Sequence, residues 1–338
     1  MSKFEEYDLY VQNKDFLAHD SVITFNDTDG RLLALKPDVT LSIIKNTESG
    51  EGCKHRVYYN ESVYRVSGAT RRYKEIMQTG IECVGDTDIS DIYEVVSLAA
   101  KSLATLSESF AMDISHMGIL SAILDDISPD RIFKRELTSL ISEKNRHEAL
   151  SLCKKHEISD GDTEKILSLV SMYGTPKSVL PKLLPLCETD AAMAAYAELS
   201  ELFELISESE YRDFIKIDFS VINDMNYYNG VVFKGFLPGI CEDVLSGGEY
   251  GKLVSGMGKR GSAVGFAICL DLLSGLGDGS PEYDVDTLIL YSDATDKKRL
   301  IAKKRELSAE GRSFSAQCAI PKSLRYREII DLDKEGSL

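Results

Sequence analysis

Hydrophobic and polar residues alternate through much of the first 85 positions, which is the pattern of half-buried β-strands. VITFND and RLLALK flank the turn sequence Asp27–Gly30, and this arrangement predicts a β-hairpin. Pro37 then interrupts the extended pattern, and VTLSIIKN predicts a short helix. The segments HRVYYNESVYRV and RRYKEIMQTGIECVG are rich in aromatic and β-branched residues, so we expect two long, paired antiparallel strands.

The pattern changes to helical spacing after position 90. IYEVVSLAAKSLATL predicts a helix, AMDISHMG a strand, and residues 119–214 a block of amphipathic helices separated by short loops. β character returns in FIKIDFSVIN, NYYNGVVFKGF and CEDVLSGGEYGKL, and SAVGFAICLDLLSGL predicts a strand that runs into a helix. We therefore expect one core, made of residues 1–118 and 215–276, that is interrupted by a helical insertion at 119–214.

A short C-terminal segment is predicted at residues 283–338. It follows the linker sequence GDGSP and contains the strand VDTLILYS, the helix DKKRLIAKKRELSAEG and the strand SFSAQCAI, an order that predicts a βαβ-like segment. The basic run KKRLIAKKRE could contact tRNA. Its interspersed residues Ile301, Ala302 and Leu307 favour a solvated amphipathic helix instead.

The composition excludes several classes of function. Lys and Arg number 39 against 55 Asp and Glu, for a net charge of −16, which argues against a broad footprint on nucleic acid or an anionic membrane. One local basic pocket for a nucleotide remains compatible with this charge. The seven cysteines form no C-x-x-C pair and the five histidines show no metal-ligand spacing, so we expect neither disulfides nor a metal site. With no secretory signal and no apolar run long enough to cross a bilayer, a cytoplasmic location is expected.

Three residues of the second long strand form a candidate binding surface. Gln78, Gly80 and Glu82 project from one face because side chains alternate along a strand. Two polar groups flank a position without a side chain, which predicts room for a small ligand. A carboxylate accepts from an ammonium or imidazole N–H, and an amide both donates and accepts. The spacing alone favours a plainer interpretation, a solvated strand face with a glycine kink.

Six motifs favour the ligand-binding interpretation over the solvated strand face, because they occur in the order found in a known family. The motifs are LALKPDVT, VYRV, MQTGIE, MNYYNGVVF, LSGGEYGKL and SAVGFAICLDLL. Over most of residues 4–275 the chain resembles the catalytic core of histidyl-tRNA synthetases. It resembles their paralogues, the regulatory subunits of ATP phosphoribosyltransferase, still more closely. The resemblance implies an α+β fold, with a class II aminoacyl-tRNA synthetase-like antiparallel sheet flanked by helices. A helical insertion and a small α/β C-terminal remnant of the anticodon-binding domain complete the implied fold.

The same resemblance implies a histidine pocket. Asp38 and Thr40 match the residues that hold the amino acid's ammonium group, although Asp38 is one methylene shorter than the usual glutamate. Arg65 matches the arginine that meets the α-phosphate of ATP, so we interpret it as a vestigial phosphate-binding residue; alone, it would be assigned to a surface ion pair. The implied histidine-binding residues are Asp38, Thr40, Gln78, Glu82, Tyr227, Tyr228, Gly247 and Gly248. Without the resemblance, ordinary strand packing would account for the two tyrosines.

Other residues stand where the family's catalytic groups are expected. Leu272 and Asn223 replace two catalytic arginines, Glu249 replaces the arginine after the paired glycines, and Ser67 replaces a glutamate. Adenylation needs cations on the ATP phosphates, and the loss of one preorganised charge typically slows an enzyme about 100- to 1,000-fold. We therefore expect no catalytic residue and no cofactor.

The resemblance thus implies a non-catalytic regulatory subunit that acts with the short catalytic subunit in the first step of L-histidine biosynthesis. The implied partners are that subunit, in a hetero-oligomer, and L-histidine as an allosteric inhibitor, with no tRNA and no membrane. The alternatives are a divergent histidyl-tRNA synthetase, a free-standing amino-acid adenylating enzyme, or a scaffold that binds partners but no ligand. The chain opens near the end of the family's first motif, so dimerisation through the usual surface stays open and an exposed apolar patch is expected there.

Overall fold

The structure is a computed structural model, and it describes residues 2–13, 22–48, 52–66, 70–222, 228–275 and 282–334. The chain divides into two compact units, Met1–Ser274 and Gly275–Leu338. No helix of the described residues is long and apolar enough to span a membrane.

A small antiparallel sheet begins the first unit, with the strand order β1-β3-β2. The predicted hairpin is confirmed, because Phe25 pairs with Leu33 across the turn. Phe4 and Phe25 contact each other edge to face on this sheet, and both side chains remain exposed. The elements are β1 (Phe4–Glu6), α1 (Tyr7–Gln12), β2 (Thr24–Asn26), β3 (Leu32–Leu35) and α2 (Thr40–Asn46).

An eight-stranded sheet forms the centre of the first unit. Its strands are β4 (Lys54–Val66), β5 (Tyr73–Gly85), β6 (Ala111–His116), β7 (Tyr173–Gly174), β8 (Ile215–Asp218), β9 (Val231–Phe236), β10 (Leu245–Glu249) and β11 (Ser262–Cys269). Their order is β4-β5-β11-β10-β9-β6-β8-β7. All neighbours are antiparallel except β6 and β8, which are parallel. The predicted pairing of the two long strands is confirmed from Lys54 opposite Gly85 to Val66 opposite Tyr73.

Helix α3 (Ile89–Leu106) packs against β9 and β11. It begins with a capping box, in which the Asp88 side chain accepts from the backbone of Ser90 and Asp91 while the Asp91 side chain accepts from the Asp88 N–H. Residues at helical spacing, including Ile92, Val95, Ala99 and Leu103, form its buried face.

Residues 119–214 are mostly helical, as the spacing predicts, but the first helix begins at Met117 and the segment also contributes strand β7 to the edge of the large sheet. Phe133, Leu137 and Ile141 of one helix are fully buried, one turn apart. The helices are α4 (Met117–Ile127), α5 (Arg131–Ser142), α6 (Arg146–Lys155), α7 (Asp160–Val170), α8 (Pro176–Leu183) and α9 (Asp190–Ser207). Helix α9 packs against α3 and α4.

The prediction of a strand that runs into a helix is confirmed after β11. Residues Leu270–Gly275 form a 3-10 helix, and Leu272 lies in it. A short helix, α10 (Gly251–Gly256), lies between β10 and β11.

The second unit contains β12 (Val285–Leu290), α11 (Lys297–Ala309), β13 (Phe314–Gln317) and β14 (Tyr326–Asp331). The predicted βαβ order is confirmed, because β12 and β13 are parallel neighbours joined through α11. The sequence analysis missed β14, which pairs in parallel with the other side of β12. Ile289, Leu300 and Leu307 form a small core between the sheet and the helix.

Candidate functional site

Glu82 on β5 is the centre of the candidate site. It lies directly opposite Gly265 on β11, which lies opposite Gly248 on β10, so the three residues share one face of the sheet. A Cβ atom at Gly265 would lie 1.8 Å from Oε2 of Glu82. The Glu82 carboxyl group therefore lies directly over Gly265, and the missing side chain there makes room for it.

The Glu82 side chain is buried and hydrogen-bonded from two sides. Thr40 Oγ1 donates to Oε1 at 2.7 Å, and the Tyr250 hydroxyl donates to Oε2. Burial raises the pKa of Glu82 to about 8, while the Tyr250 and Thr40 hydrogen bonds lower it and the nearby Asp38 carboxylate raises it. The group is therefore mostly an uncharged acid at neutral pH, which both donates and accepts hydrogen bonds.

Asp38 lies at the start of α2, where Pro37 ends the preceding extended segment. Its Oδ1 accepts from the backbone N–H of Leu41 at 2.9 Å, as a carboxylate at a helix N-terminus commonly does. Burial raises the pKa of Asp38, against the lowering effect of that hydrogen bond and of the Arg65 guanidinium. Two carboxyl groups thus contribute to one face of the site, Asp38 at the helix start and Glu82 on the strand.

Arg65 is held beside this helix start. Its Nε donates to the backbone oxygen of Pro37 at 3.0 Å, which places the guanidinium near Asp38. Lys36, one residue before Pro37, is fully buried, and its Nζ lies 2.8 Å from Oε2 of Glu61 on β4. A buried ion pair therefore supports the loop from which Asp38 and Thr40 project.

Three tyrosines surround the carboxyl groups. The rings of Tyr228 and Tyr250 meet edge to face with centroids 6.4 Å apart. Burial raises the pKa of Tyr59 and of Tyr228, and the Glu82 and Asp38 carboxyl groups raise both further, so all four groups lie close together. Aromatic rings beside buried carboxyl groups form an environment that suits a flat, polar heterocycle.

The sequence-based expectation of open space at Gly80 is wrong. A Cβ atom there would lie 2.6 Å from the ring end of Tyr59 and 2.2 Å from the backbone oxygen of Phe266. The Tyr59 ring therefore fills the space over Gly80, as the Glu82 carboxyl group fills the space over Gly265. A Cβ atom at Gly248 would lie 2.9 Å from the Tyr228 ring.

The structure brings together Asp38, Thr40, Glu82, Tyr228 and Gly248 of the expected residues. Gln78 is half-buried on the same face of β5 as Glu82, two positions before Gly80 in the sequence. Gly247 faces the opposite side, where a Cβ atom would meet the side chains of Phe233 and Phe266. Tyr227, Asn223 and Ser67 lie outside the described residues.

Sequence reasoning missed Tyr59, Tyr250 and Gly265. The alternation of side chains along a strand indicates that only one of the neighbours Tyr58 and Tyr59 faces inward. In the structure that residue is Tyr59, which is 5% exposed, while Tyr58 is 86% exposed. Glu249 alternates away from Gly248 and accepts a hydrogen bond from Val231 N at 2.8 Å. It therefore does not join the Glu82 side of the sheet.

Comparisons with known proteins show the family and the fold. The family model described as histidyl-tRNA synthetase matches residues 2–273. An ATP phosphoribosyltransferase regulatory subunit from Oceanobacillus iheyensis is 29% identical over 98% of this chain and 83% of its own length. A crystal structure from Bacillus halodurans C, named ATP phosphoribosyltransferase regulatory subunit/histidyl-tRNA synthetase, superposes with a TM-score of 0.79 at 26% identity, covering 98% of this chain and 88% of that one.

A second similar structure is the ATP phosphoribosyl transferase (HisG:HisZ) complex from Thermotoga maritima. Its matched chain is 19% identical with a TM-score of 0.58, covering 78% of this chain and 97% of that one, so it supports the fold. The expected class II synthetase-like fold is thus confirmed. By sequence and by fold, this chain belongs to the histidyl-tRNA synthetase family, in the branch of the ATP phosphoribosyltransferase regulatory subunits.

Proposed function

We propose that this chain is a non-catalytic regulatory subunit that binds L-histidine around Glu82 and acts with a short ATP phosphoribosyltransferase catalytic subunit. The observation that carries the proposal is the buried Glu82 carboxyl group, held by Thr40 and Tyr250 directly over Gly265. Family membership supports the regulatory role.

The site groups match the polar groups of histidine. An imidazole carries one N–H donor and one acceptor nitrogen, and an uncharged carboxyl group at Glu82 can serve either. The Tyr228 and Tyr250 rings offer edges and faces against which a flat heterocycle packs. Asp38 supplies a carboxylate for an ammonium group at the α2 start, and the Arg65 guanidinium lies near enough to pair with a ligand carboxylate.

The residues at the expected catalytic positions support a non-catalytic role. Leu272 provides no charge, and Glu249 faces the other side of the sheet with its carboxyl oxygen bound to Val231. Arg65 matches an arginine that the family uses on ATP, and its Nε donates to the Pro37 carbonyl. Phosphoryl chemistry on ATP needs several preorganised cations, so this set of residues favours ligand binding over adenylation.

A hetero-oligomer is part of the proposal. The matched chain of the Thermotoga maritima structure forms part of a HisG:HisZ complex. Histidine would regulate such an assembly only if it binds the active and inactive arrangements with different affinities.

Calorimetric titration of the full chain with L-histidine tests the ligand. We expect saturable binding to the wild type and none detectable with Glu82→Ala, because the substitution removes the group to which the imidazole binds. Glu204→Ala, an exposed position on α9, is the matched control and should bind as the wild type does. No heat of binding with the wild type would favour the scaffold alternative.

Assays of reaction separate the remaining alternatives. Addition of the chain to a short catalytic subunit should raise transferase activity, and histidine should lower it. Co-purification without any gain in activity would contradict the regulatory role. Histidine-dependent exchange of pyrophosphate into ATP by the purified chain would establish an adenylating enzyme instead.

A further inference from the structure

A second cluster of titratable groups lies behind the tyrosine segment, on the opposite face of the large sheet. Glu249 ends β10, His116 ends β6, and Glu198 lies on α9. His116 is 2% exposed, and its Nε2 lies 3.6 Å from Oε1 of Glu198. Both atoms are buried, and within the part of the chain that the structure describes neither forms a hydrogen bond. They face each other as a buried polar contact between the sheet and the helix.

The hydrogen bonds of this cluster fix where its protons lie. Nδ1 of His116 accepts from the backbone N–H of Gly118 at 3.1 Å, so the ring proton is on Nε2, next to Glu198. The His116 ring lowers the pKa of Glu198 and keeps it ionised. Burial raises the pKa of Glu249 to about 8, and the Glu198 carboxylate raises it further. Glu249 is therefore mostly an uncharged acid at neutral pH.

Glu249 also holds the backbone segment that carries Tyr228. Its Oε2 accepts from Val231 N at 2.8 Å, and its backbone oxygen accepts from Asn229 N at 3.1 Å. Gly230 makes this approach possible, because a Cβ atom there would lie 2.1 Å from Oε2 of Glu249. On the far side, Met117 N donates to the Gly230 oxygen at 2.8 Å. Glu249 thus holds the tyrosine segment on one side, and the Met117 backbone holds it to the start of α4 on the other. Val231 also lies opposite His116 in the pairing of β9 with β6.

We propose that Glu249 is a positioning residue of the pocket, which fixes the segment Tyr228–Val231. His116, which lies opposite Val231 in the pairing of β6 with β9, connects this segment through its contact with Glu198 to helix α9. The inference rests on the proposed function, because it names the contacts through which histidine in the pocket would influence the helical insertion. A ligand that holds Tyr228 in place also stabilises the Val231–Glu249 hydrogen bond. By linkage, a partner that shifts α9 changes the affinity for histidine by the same factor.

Two substitutions at Glu249 separate positioning from bulk. Glu249→Gln keeps an oxygen that accepts from Val231 N and stays uncharged, so it reproduces the neutral acid. Glu249→Ala removes that oxygen and leaves the Val231 N–H buried without its side-chain partner. We expect Glu249→Ala to weaken histidine binding about tenfold or more and Glu249→Gln to change it by less than about threefold. Glu201→Ala, exposed on α9, is the control and should leave the affinity unchanged.

Amide hydrogen exchange of the full chain without histidine supplies a readout that does not depend on the ligand. We expect Glu249→Ala to accelerate exchange at Val231 and in the α9 turn around Glu198, while amides of the β4–β5 hairpin stay as in the wild type. Glu249→Gln should leave all three regions unchanged.

The outcomes of the two measurements are distinct. Equal protection of Val231 in the wild type and Glu249→Ala would overturn the positioning role, as would faster exchange throughout the chain. Unchanged histidine affinity in Glu249→Ala would overturn its connection with the pocket. If the wild type fails to bind histidine, the proposed function falls, and exchange at Val231 still decides whether Glu249 positions the segment.

Discussion

Gly265 lies directly across from Glu82, and the carboxyl group of Glu82 occupies the space that a side chain at 265 would need. A Cβ atom there would lie 1.8 Å from Oε2 of Glu82 and 2.5 Å from the backbone oxygen of Ile81. The carboxyl group could move, but the backbone oxygen belongs to the middle of a paired strand. The position of the acid in the site thus depends on a glycine 183 residues further along the chain (265 − 82 = 183).

The first prediction concerns Gly265→Ala. The added methyl group displaces the Glu82 carboxyl and strains β5, so we expect loss of histidine binding and a fall of about 1–3 kcal/mol in the free energy of unfolding. Calorimetry and urea unfolding measure the two effects. Gly161→Ala is the matched control, because its Cβ would lie 4.0 Å from its nearest neighbour on helix α7. That variant should be as stable as the wild type or slightly more so. Wild-type affinity in Gly265→Ala would contradict the placement of the ligand.

The second prediction concerns the pH dependence of stability. Glu82 has a pKa of about 8 in the folded chain, above its ordinary value of 4.5, so between these values the folded state binds more protons than the unfolded state. This contribution is fully present below about pH 4.5 and is lost as the pH rises towards 8. Relative to Glu82→Gln, which does not titrate, the wild type should lose up to about 1.4 kcal/mol per pH unit across this window. Urea unfolding at pH 5, 6, 7 and 8 measures the difference. Parallel curves for the two proteins would show that Glu82 is not buried as described.

The third prediction concerns the buried pair of Lys36 and Glu61. Lys36→Ala removes a fully buried ammonium group that Glu61, which is 23% exposed, contacts, so we expect a loss of about 1–3 kcal/mol in unfolding free energy. The double substitution Lys36→Met with Glu61→Leu removes both charges and should recover most of that loss.

Arg31→Ala is the control for this pair. It breaks contacts with Asp27 and Asp29 but lies on the surface, so its effect should stay within about 1 kcal/mol. If Lys36→Ala and Arg31→Ala behave alike, the buried pair contributes no more than a surface pair does.

Strand patterns gave correct predictions where local chemistry decides the structure. The aromatic and β-branched residues of 54–66 and 73–85 predict a long hairpin, and the structure pairs all thirteen positions. The missed strand β14 has the sequence YREIID, in which charged residues at 327, 328 and 331 hide the β pattern. The segment is a strand because it pairs with β12, and its own sequence does not indicate that pairing.

The candidate site was predicted only in part, because local sequence does not indicate contacts between distant positions. Thr40 and Glu82 were recognised through motifs, and the structure joins them by a hydrogen bond. Tyr250 was not recognised, because its hydroxyl reaches Glu82 across 168 positions of sequence and only the strand order β5-β11-β10 brings them together. Local spacing also predicted open space at Gly80, and it could not indicate that the neighbouring strand places the Tyr59 ring there.

The last prediction isolates the Tyr250 hydroxyl. Its hydrogen bond lowers the pKa of Glu82 and so opposes the larger effect of burial. Tyr250→Phe keeps the ring beside Tyr228 but removes that bond, so the pKa of Glu82 should rise above its wild-type value of about 8.

The carboxyl carbon resonance of Glu82 reports this directly in chain labelled at the glutamate carboxyl groups, and Glu82→Gln identifies the signal. We expect a midpoint near pH 8 in the wild type and a higher one in Tyr250→Phe. Tyr64→Phe is the matched control, because the Tyr64 hydroxyl donates to exposed Glu75 at 2.9 Å, away from the site. The control should leave the Glu82 midpoint unchanged. An unchanged midpoint in Tyr250→Phe would mean that the hydroxyl does not stabilise the ionised carboxylate. A lower midpoint would mean that the hydrogen bond runs from a protonated Glu82 to Tyr250.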